Sequence, residues 1–341
     1  MNILFTCAGR RTYLLKYFKE QMGTSGLVVG ADMQLSAPAL TAADVKVQVP
    51  AVYAPNYIDT IIDICQKWEI KAIIPLNDLE LPILARNREQ FEKIGVIVMV
   101  APTEFIDICF DKFKTAKFVE SIGLSTPRTY INLHKAEEAL MTGDLQFPLV
   151  LKPRWGSGSI GIEFVNNDTE LRETYGSLLK KIKQTILSTA SQGDEYILIQ
   201  EKIEGQEYGM DVMNDLKGSH QAVSVKKKLS MRAGETDKAK TVENAEIERI
   251  GRILGENSGH LGNLDVDVFE KDGHYYVLEL NPRFGGGFPF SYEAGVNLPK
   301  AILKWLNGEA IDSAILISRK NETFAKCDYL VNVGNNYICE K

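Results

Sequence analysis

Short apolar runs alternating with amphipathic stretches set the pattern of the first hundred residues. Residues 2–6 form one such run, ending in Cys7-Ala8-Gly9-Arg10-Arg11, and Leu27–Asp32 forms a second. A helix-like segment lies between them, from Thr12 to about Gln21. A further helix around Tyr57–Trp68 leads into the strand Ala72–Pro75, and another around Leu81–Ile94 leads into Val96–Val100. Strands alternating with helices of this length predict a parallel, doubly wound sheet. Such sheets bind ligands beyond the carboxyl ends of their strands. Those ends carry Gly9-Arg10-Arg11, Asp32 and Asn77-Asp78-Leu79-Glu80.

The pattern changes after Pro102. Asp111–Glu120 reads as an amphipathic helix closed by Gly123 and Pro127. The apolar run Phe147–Pro153 is followed by a glycine-rich loop and a strand, Gly161–Val165; a helical stretch at 168–190 precedes the strand Tyr196–Gln200. Further strand-like runs are Tyr208–Met213, Ala222–Val225, Leu264–Phe269 and Tyr275–Leu280, so this part predicts mixed α+β structure.

Composition narrows the class. With 341 residues, 45% of them hydrophobic and 25% charged, the chain is long enough for two or three packed domains and is not a disordered sequence. Its net charge of −6 supplies no general attraction to nucleic acid or an anionic membrane. The N-terminal segment lacks the pattern of a signal peptide, and the later apolar runs are too short to span a bilayer. Five scattered cysteines without a CxxC pair, and four distant histidines, argue against a disulfide framework or zinc site. A cytoplasmic location is the simplest expectation.

Two segments carry chemistry. Lys152-Pro-Arg-Trp-Gly156-Ser157-Gly158-Ser159-Ile-Gly161 places glycines where backbone N–H groups approach an anion, with a lysine at the end of the preceding strand. It is not a G-x-x-x-x-G-K-[ST] phosphate loop, and the lone Gly9 does not make a dinucleotide fingerprint. Arg10 and Arg11 are either a grip on an anionic substrate or a solvated pair opening a helix. The second segment surrounds Asp272-Gly273. A three-residue hairpin loop, Asp272–His274, sets Lys271 opposite Tyr275 and Asp267 opposite Glu279, with Asn281 on the same face. Two carboxylates and an amide oxygen there suit Mg2+ bound together with phosphate oxygens. A two-residue Asp-Gly turn puts Asp267 and Glu279 on opposite faces instead.

Taken in order, Lys112, Lys152 with its glycine-rich loop, Gln200–Glu207, and Asp267 with Glu279-Leu280-Asn281-Pro282-Arg283 resemble the ATP-grasp superfamily. The likeness runs from the N-terminal lobe to about residue 310, and is greatest to the carbamoyl-phosphate-synthetase-like branch of carboxylate–amine ligases. It implies an α/β and α+β chain: a Rossmann-like pre-ATP-grasp domain over residues 1–105, then an ATP-grasp domain over 106–315. That domain would divide into a small lid lobe at about 115–200 and a C-terminal lobe at about 201–315, with an extension at 316–341.

The same resemblance implies roles. Lys112 and Lys152 would hold ATP phosphates beneath a loop containing Gly156, Ser157, Gly158, Ser159 and Gly161. Glu201, Lys202 and Ile203 would offer backbone to adenine, and Glu207 would bind ribose. Asp267, or Asp265 in its place, with Glu279 and Asn281 would ligate one or two Mg2+, with Mn2+ as an alternative. Arg283 and Lys152 would act on the transferred phosphoryl group, and Arg232 would steady a charged intermediate. Independently of the resemblance, the place of Arg10, Arg11, Asp78 and Glu80 at strand ends marks a polar site for an amino acid or another small zwitterion. The implied activity is an ATP-dependent carboxylate–amine (or carboxylate–thiol) ligase acting through an acyl phosphate, with small-molecule acid and amine as partners. A homodimer accords with the resemblance. The alternatives are a phosphotransferase on the same cradle and a non-catalytic nucleotide-binding module.

Overall fold

The structure is a computed structural model that describes residues 1–156, 161–184 and 195–334. The first part is the expected parallel sheet. Strands β1 (Asn2–Thr6), β2 (Val28–Asp32), β3 (Val45–Gln48), β4 (Ile70–Pro75) and β5 (Ile97–Val98) lie in the order β3-β2-β1-β4-β5. They are connected through helices α1 (Thr12–Met22), α2 (Tyr57–Lys67), α3 (Leu81–Arg86) and α4 (Arg88–Glu92). The strand order reverses between β1 and β4, so a crevice opens beyond Thr6 and Pro75, which are paired in register. Two details differ from expectation. The single helix over Leu81–Ile94 is divided at Asn87, whose backbone (φ −105°, ψ 8°) leaves the helical region. Strand β3 was not expected, because its exposed Lys46 and Gln48 give an edge strand a polar sequence.

Helices α5 (Thr103–Phe110) and α6 (Lys112–Ser121) lead into a small antiparallel sheet. Strands β6 (Thr129–Tyr130), β7 (Leu149–Pro153), β8 (Glu163–Val165) and β9 (Ile197–Glu201) are ordered β6-β9-β7-β8. Helices α7 (Leu133–Thr142) and α8 (Asp168–Lys183) cover it around a core of Ala136, Leu149, Leu151, Val165, Leu171, Leu178 and Ile199. A larger sheet, β14-β13-β10-β11-β12-β15, completes the fold. Its strands are β10 (Gln206–Asn214), β11 (His220–Arg232), β12 (Glu235–Thr241), β13 (Gly262–Lys271), β14 (His274–Asn281) and β15 (Thr323–Ala325). Helices α9 (Ala245–Ser258), α10 (Phe288–Glu293) and α11 (Leu298–Leu306) pack around it. Strand β12 and helix α9 were missed, and β11 is longer than the run Ala222–Val225 that announced it.

One face of the large sheet is apolar. Met210, Val212, Val225, Leu264, Val266 and Val268 join Ile247, Ile250 and Leu254 of α9 in a core that continues to Phe105, Val119 and the first sheet's Leu4 and Ile73. A second core ties Phe5, Leu14, Leu15 and Phe18 to Phe284, Phe288, Leu298 and Ile302. The first and last lobes are thus fused by shared apolar packing, whereas the small lobe encloses its own core.

The β13–β14 hairpin corrects one expectation and keeps its consequence. Its turn is the two-residue form: Lys271 pairs with His274 across Asp272 and Gly273, whose φ values of 52° and 76° fit a type I′ turn. The odd residue sits further along. Val268 pairs with Val277 but Asp267 pairs with Glu279, so Leu278 is an inserted bulge residue, and Asp265 then faces Asn281. The bulge returns the carboxylates to one face after the turn would have separated them.

Two helix glycines give opposite expectations. A Cβ at Gly251 in α9 would lie 2.8 Å from both Val223 methyl groups and 3.0 Å from the Met210 sulfur, whereas one at Gly176 in α8 would meet nothing within 4 Å. Gly176→Ala should stabilise by about 0.5–1 kcal/mol through helix propensity. Gly251→Ala should destabilise by about 1–3 kcal/mol through overpacking. Chemical-denaturation midpoints of the two variants check both signs.

Candidate active site

The opposite face of the large sheet is charged because alternate residues of four strands point there. In register, Asp211 of β10 lies between Ser224 of β11 and Asp265 of β13, and Gly209 lies between Lys226 and Asp267. Glu279 and Asn281 extend the face on β14. Lys228 joins two carboxylates, 2.7 Å from Glu207 and 2.6 Å from Asp267, and this pairing holds its ammonium charged against burial. Burial pushes the Glu207 carboxyl up, opposed by Lys228. Gly209 makes room for this arrangement: a Cβ there would come 3.3 Å from the Lys228 Cε and 3.7 Å from the Lys226 Cε. Beneath the face, Lys226 pairs with Asp211 and donates to Ser291 (3.1 Å), while Ser291 donates to Asp211 (2.5 Å). In the sequence Lys226-Lys227-Lys228 reads as a solvated charge run; the strand period of two sends the outer pair inward.

A cationic roof faces this floor. Asp111 caps α6, accepting from the Phe113 N–H at 3.0 Å, and also binds the Arg154 guanidinium at 2.8–3.0 Å. That clip ties the start of α6 to the end of β7 and sets Lys112 and Lys152 side by side. Lys112 donates to the Gly156 carbonyl. Lys152 is 8% exposed and has no hydrogen-bond or ion-pair partner among the described residues. Burial, reinforced by Lys112 and opposed by Glu279, pushes its pKa down to about 8. Glu279 likewise has no hydrogen-bond or ion-pair partner among the described residues. It lines a cleft with Asp78, Cys109, Gly156 and Asn281. Gly161 closes the glycine-rich segment with φ 71°, a conformation suited to glycine. Ser157, Gly158 and Ser159 lie outside the described residues. Trp155, buried against Tyr196, anchors the start of that segment.

At the junction of the small and large sheets, Glu201 ends β9 and its N–H donates to the Arg128 carbonyl at 2.9 Å. The Lys202 N–H donates to the Pro148 carbonyl at 3.3 Å, and Ile203 is buried with its N–H left without a partner among the described residues.

The remaining residues separate. Arg283 bridges to Asp78 of the first lobe at 2.7 Å and to Asp265 at 3.6 Å. Burial, and then the nearby Asp267, pushes the Asp265 carboxyl up to about 7. Arg11 lies close enough to Arg283 and Asp265 to share their field at Tyr13. Glu80 is instead fully buried within the first lobe, accepting from Tyr57 at 2.6 Å and Thr6 at 2.9 Å, so no substrate reaches it. Arg10 is exposed and 3.9 Å from Asp328. Arg232, at the tip of the β11–β12 hairpin, pairs with Asp328 at 2.6 Å and Asp237 at 3.0 Å. Neither arginine joins the charged floor.

Comparison with known proteins agrees with this architecture. The family described as the PylC-like N-terminal domain matches residues 3–99, and the ATP-grasp domain family matches residues 109–287. The carbamoyl phosphate synthase large chain of Mesorhizobium japonicum is 24% identical over 66% of this chain, which spans about a fifth (21%) of that protein. The coenzyme gamma-F420-2:alpha-L-glutamate ligase of Methanococcus maripaludis is 26% identical over 61% of the chain and 70% of its own length. Among solved structures, biotin carboxylase from Campylobacter jejuni superposes with a TM-score of 0.72 at 19% identity, covering 94% of this chain and 74% of that one. No helix among the described residues is long and apolar enough to cross a membrane.

The pair beneath the floor supplies a test. With side chains 2% and 0% exposed, Lys226 and Asp211 have no access to solvent to replace one another. Lys226→Met should cost about 3–5 kcal/mol by leaving Asp211 charged and buried. Adding Asp211→Asn should return part of that loss, a non-additivity read from the denaturation midpoints of the two singles and the double.

Proposed function

The chain belongs to the ATP-grasp family, and we propose that it is an ATP-dependent carboxylate–amine ligase that works through an acyl phosphate and acts on small molecules. One observation carries this reading: the buried, unpaired Lys152 beside Lys112 stands over the carboxylates of the large sheet, with Arg283 at the end of the same face. Such a site is organised around a polyanion, and it offers charge neutralisation and positioning rather than a nucleophilic side chain.

In this reading Lys112, Lys152 and the glycine-rich segment from Gly156 to Gly161 hold the triphosphate. The Ile203 N–H, the one amide of Glu201–Ile203 left unused, meets the adenine edge, and Glu207 meets the ribose. Asp267, Glu279 and Asn281 fit Mg2+. The three residues share one face of the hairpin and offer two carboxylates and an amide oxygen, donors suited to a hard cation that phosphate oxygens also ligate. When bound, Mg2+ supplies positive charge to the phosphate oxygens. A carboxylate oxygen of the acid substrate attacks the γ-phosphorus and the bond to ADP breaks. An amine then attacks the acyl carbon, loses a proton, and phosphate departs with the electron pair of the broken C–O bond. Arg283 faces the charge that develops on the transferred group, and Asp78 and Asp265 hold it in place. Exclusion of water by the small lobe would protect the acyl phosphate.

Phosphorus NMR of protein, Mg2+, ATP and pooled small acids and amines tests the reaction. Substrate-dependent ADP and inorganic phosphate, reduced about 100-fold or more in Lys152→Met and Glu279→Gln, are the expected result. A new phosphorylated product would make the protein a phosphotransferase, and AMP with pyrophosphate would exclude an acyl phosphate.

Lys152 also fixes the sign of a pH effect. Its folded pKa lies below the ordinary lysine value, so the ligand-free protein binds fewer protons than the unfolded chain between about 8 and 10.5. The penalty for holding the charged lysine is therefore complete below pH 8 and fades as the pH rises through that window. A bound triphosphate restores the charged form, so ATP binding should take up protons increasingly from pH 7 to 9. Calorimetry in buffers of different ionisation enthalpy measures that uptake, and Lys152→Met should reduce it to what Lys112, also held below the ordinary lysine value by burial, contributes.

A further inference from the structure

Asp78 reaches Arg283 from the tip of a short turn, and one residue of β1 holds that turn at both ends. The Leu76 N–H donates to the Thr6 carbonyl at 3.3 Å, and the Thr6 hydroxyl donates to Glu80 Oε2 at 2.9 Å. Between these anchors the Glu80 N–H donates to the Asn77 carbonyl at 3.1 Å, and the Leu79 N–H to Asn77 Oδ1 at 2.9 Å. Asn77–Glu80 is thereby closed as a β-turn with Asp78 at its second position. Glu80 Oε1 accepts from the Tyr57 hydroxyl of α2 at 2.6 Å. The Glu80 carbonyl accepts from the Ile83 and Leu84 N–H groups, which open α3. Glu80 thus joins β1, α2, the turn and α3 at one point.

For core packing alone this clamp is an unfavourable choice. Glu80 and Thr6 are 0% exposed and Tyr57 is 1% exposed. No lysine, arginine or histidine among the described residues pairs with Glu80, and burial pushes its carboxyl up against the pull of Tyr57 and Thr6. An apolar side chain would fill the same space without that penalty. What it would lack is direction, because apolar contacts let a turn slide whereas hydrogen bonds fix where it points. The residue whose direction matters is Asp78, whose Oδ2 accepts from the Arg283 guanidinium at 2.7 Å. The other carboxylate near Arg283, that of Asp265, is 3.6 Å away and outside hydrogen-bond distance. Arg283 otherwise donates to the adjoining Phe284 carbonyl at 3.2 Å, and its buried Nε has no hydrogen-bond partner among the described residues. The aim of the guanidinium therefore depends chiefly on Asp78.

We propose that Glu80 is a positioning residue for phosphoryl transfer: the Tyr57–Glu80–Thr6 clamp fixes the turn that aims Asp78, and through Asp78 the Arg283 guanidinium, at the transferred group. The proposal rests on the ligase reading only in taking Arg283 for the group that faces that phosphoryl. Glu80 itself touches neither nucleotide nor substrate. Preorganised donors stabilise developing charge without reorganising at the moment of reaction, and a guanidinium free to swing loses that advantage. The first lobe then sets the geometry of an arginine that the chain supplies from the end of the large sheet.

Titration of the full chain with Mg-ADP, alone and with aluminium fluoride standing in for the phosphoryl group in flight, tests this without a known acid or amine. The parent should bind Mg-ADP more tightly when aluminium fluoride is present. Glu80→Met, which nearly keeps the side-chain volume and removes the hydrogen bonds, should cut that advantage about 10-fold or more while the affinity for Mg-ADP alone stays as in the parent. Glu80→Gln, whose amide can still bond both hydroxyls, should keep most of it. Tyr57→Phe removes one bond from the α2 side and should act in the same direction, so it carries the test if Glu80→Met does not fold. Beside Asp78→Asn neither variant should add a further loss, because the route to Arg283 is already cut. The proposal is overturned if both variants keep the parent's advantage, if they weaken Mg-ADP alone by the same factor, or if their losses persist undiminished beside Asp78→Asn. No advantage in the parent would overturn it together with the role given to Arg283. Turnover of an acid and an amine by the parent, with the advantage intact in Glu80→Met, would sink the positioning role and keep the ligase reading. The expected losses without ADP release in any acid and amine mixture would do the reverse.

Discussion

Two layers of charge of opposite sign, neither neutralised by its own partners, govern the arrangement of this protein. The large sheet brings Glu207, Asp211, Asp265, Asp267 and Glu279 to one face with only Lys226, Lys228 and Arg283 to offset them. The roof brings Lys112 and Lys152 together with no carboxylate in hydrogen-bond contact with either. Charges of this kind are tolerated away from water only when paired or when a ligand completes them. The floor therefore depends on regular alternation of signs between neighbouring strands, and on glycine where two charged side chains would otherwise meet a third. The roof depends on a separate device, the Asp111–Arg154 clip, which fixes a helix start and a strand end against each other.

The mechanical division of the molecule follows from where its apolar groups are shared. The first sheet and the large sheet have common cores through α5, α6, α10 and α11, and Arg283 adds a polar tie to Asp78. These two lobes form one rigid base. The small sheet packs its apolar groups among themselves and meets the base mainly at Lys112, Trp155 and the strand end at Glu201. The phosphate site lies on that boundary, with Lys152 on the small lobe and Lys112 and the floor on the base.

Much of this was legible in the chain. The doubly wound first lobe follows from alternating apolar runs and helices, and the ordered motifs from Lys112 to Arg283 pointed to the family. What failed did so for identifiable reasons. The buried positions of β12 are Thr236, Ala239 and Thr241, small or polar residues, so Glu235–Thr241 carries no apolar period. Lys226 and Lys228 are hidden in a run that composition alone assigns to solvent. The hairpin turn was judged by residue count, yet a bulge at Leu278 restores the alternation that the turn removes, and nothing in the residue types of β14 marks it. Glu80 and Asp78 stand two residues apart on the same crevice. Only the closing of Tyr57 and Thr6 over Glu80 decides that one is structural while the other reaches Arg283.

The self-contained core of the small lobe has a thermodynamic corollary. A unit that shares little apolar surface with its neighbours can open as a cooperative subglobal unfolding event without disturbing the base. Its local stability then sets a ceiling on amide protection for Leu149, Leu151, Ile197 and Ile199, whereas Met210, Val212 and Val266 in the fused core inherit the stability of the whole chain. A triphosphate held by residues of both units couples the two free energies. Occupancy of the site would then be recorded in hydrogen exchange far from the phosphates, in the interior of a lobe whose centre no ligand touches.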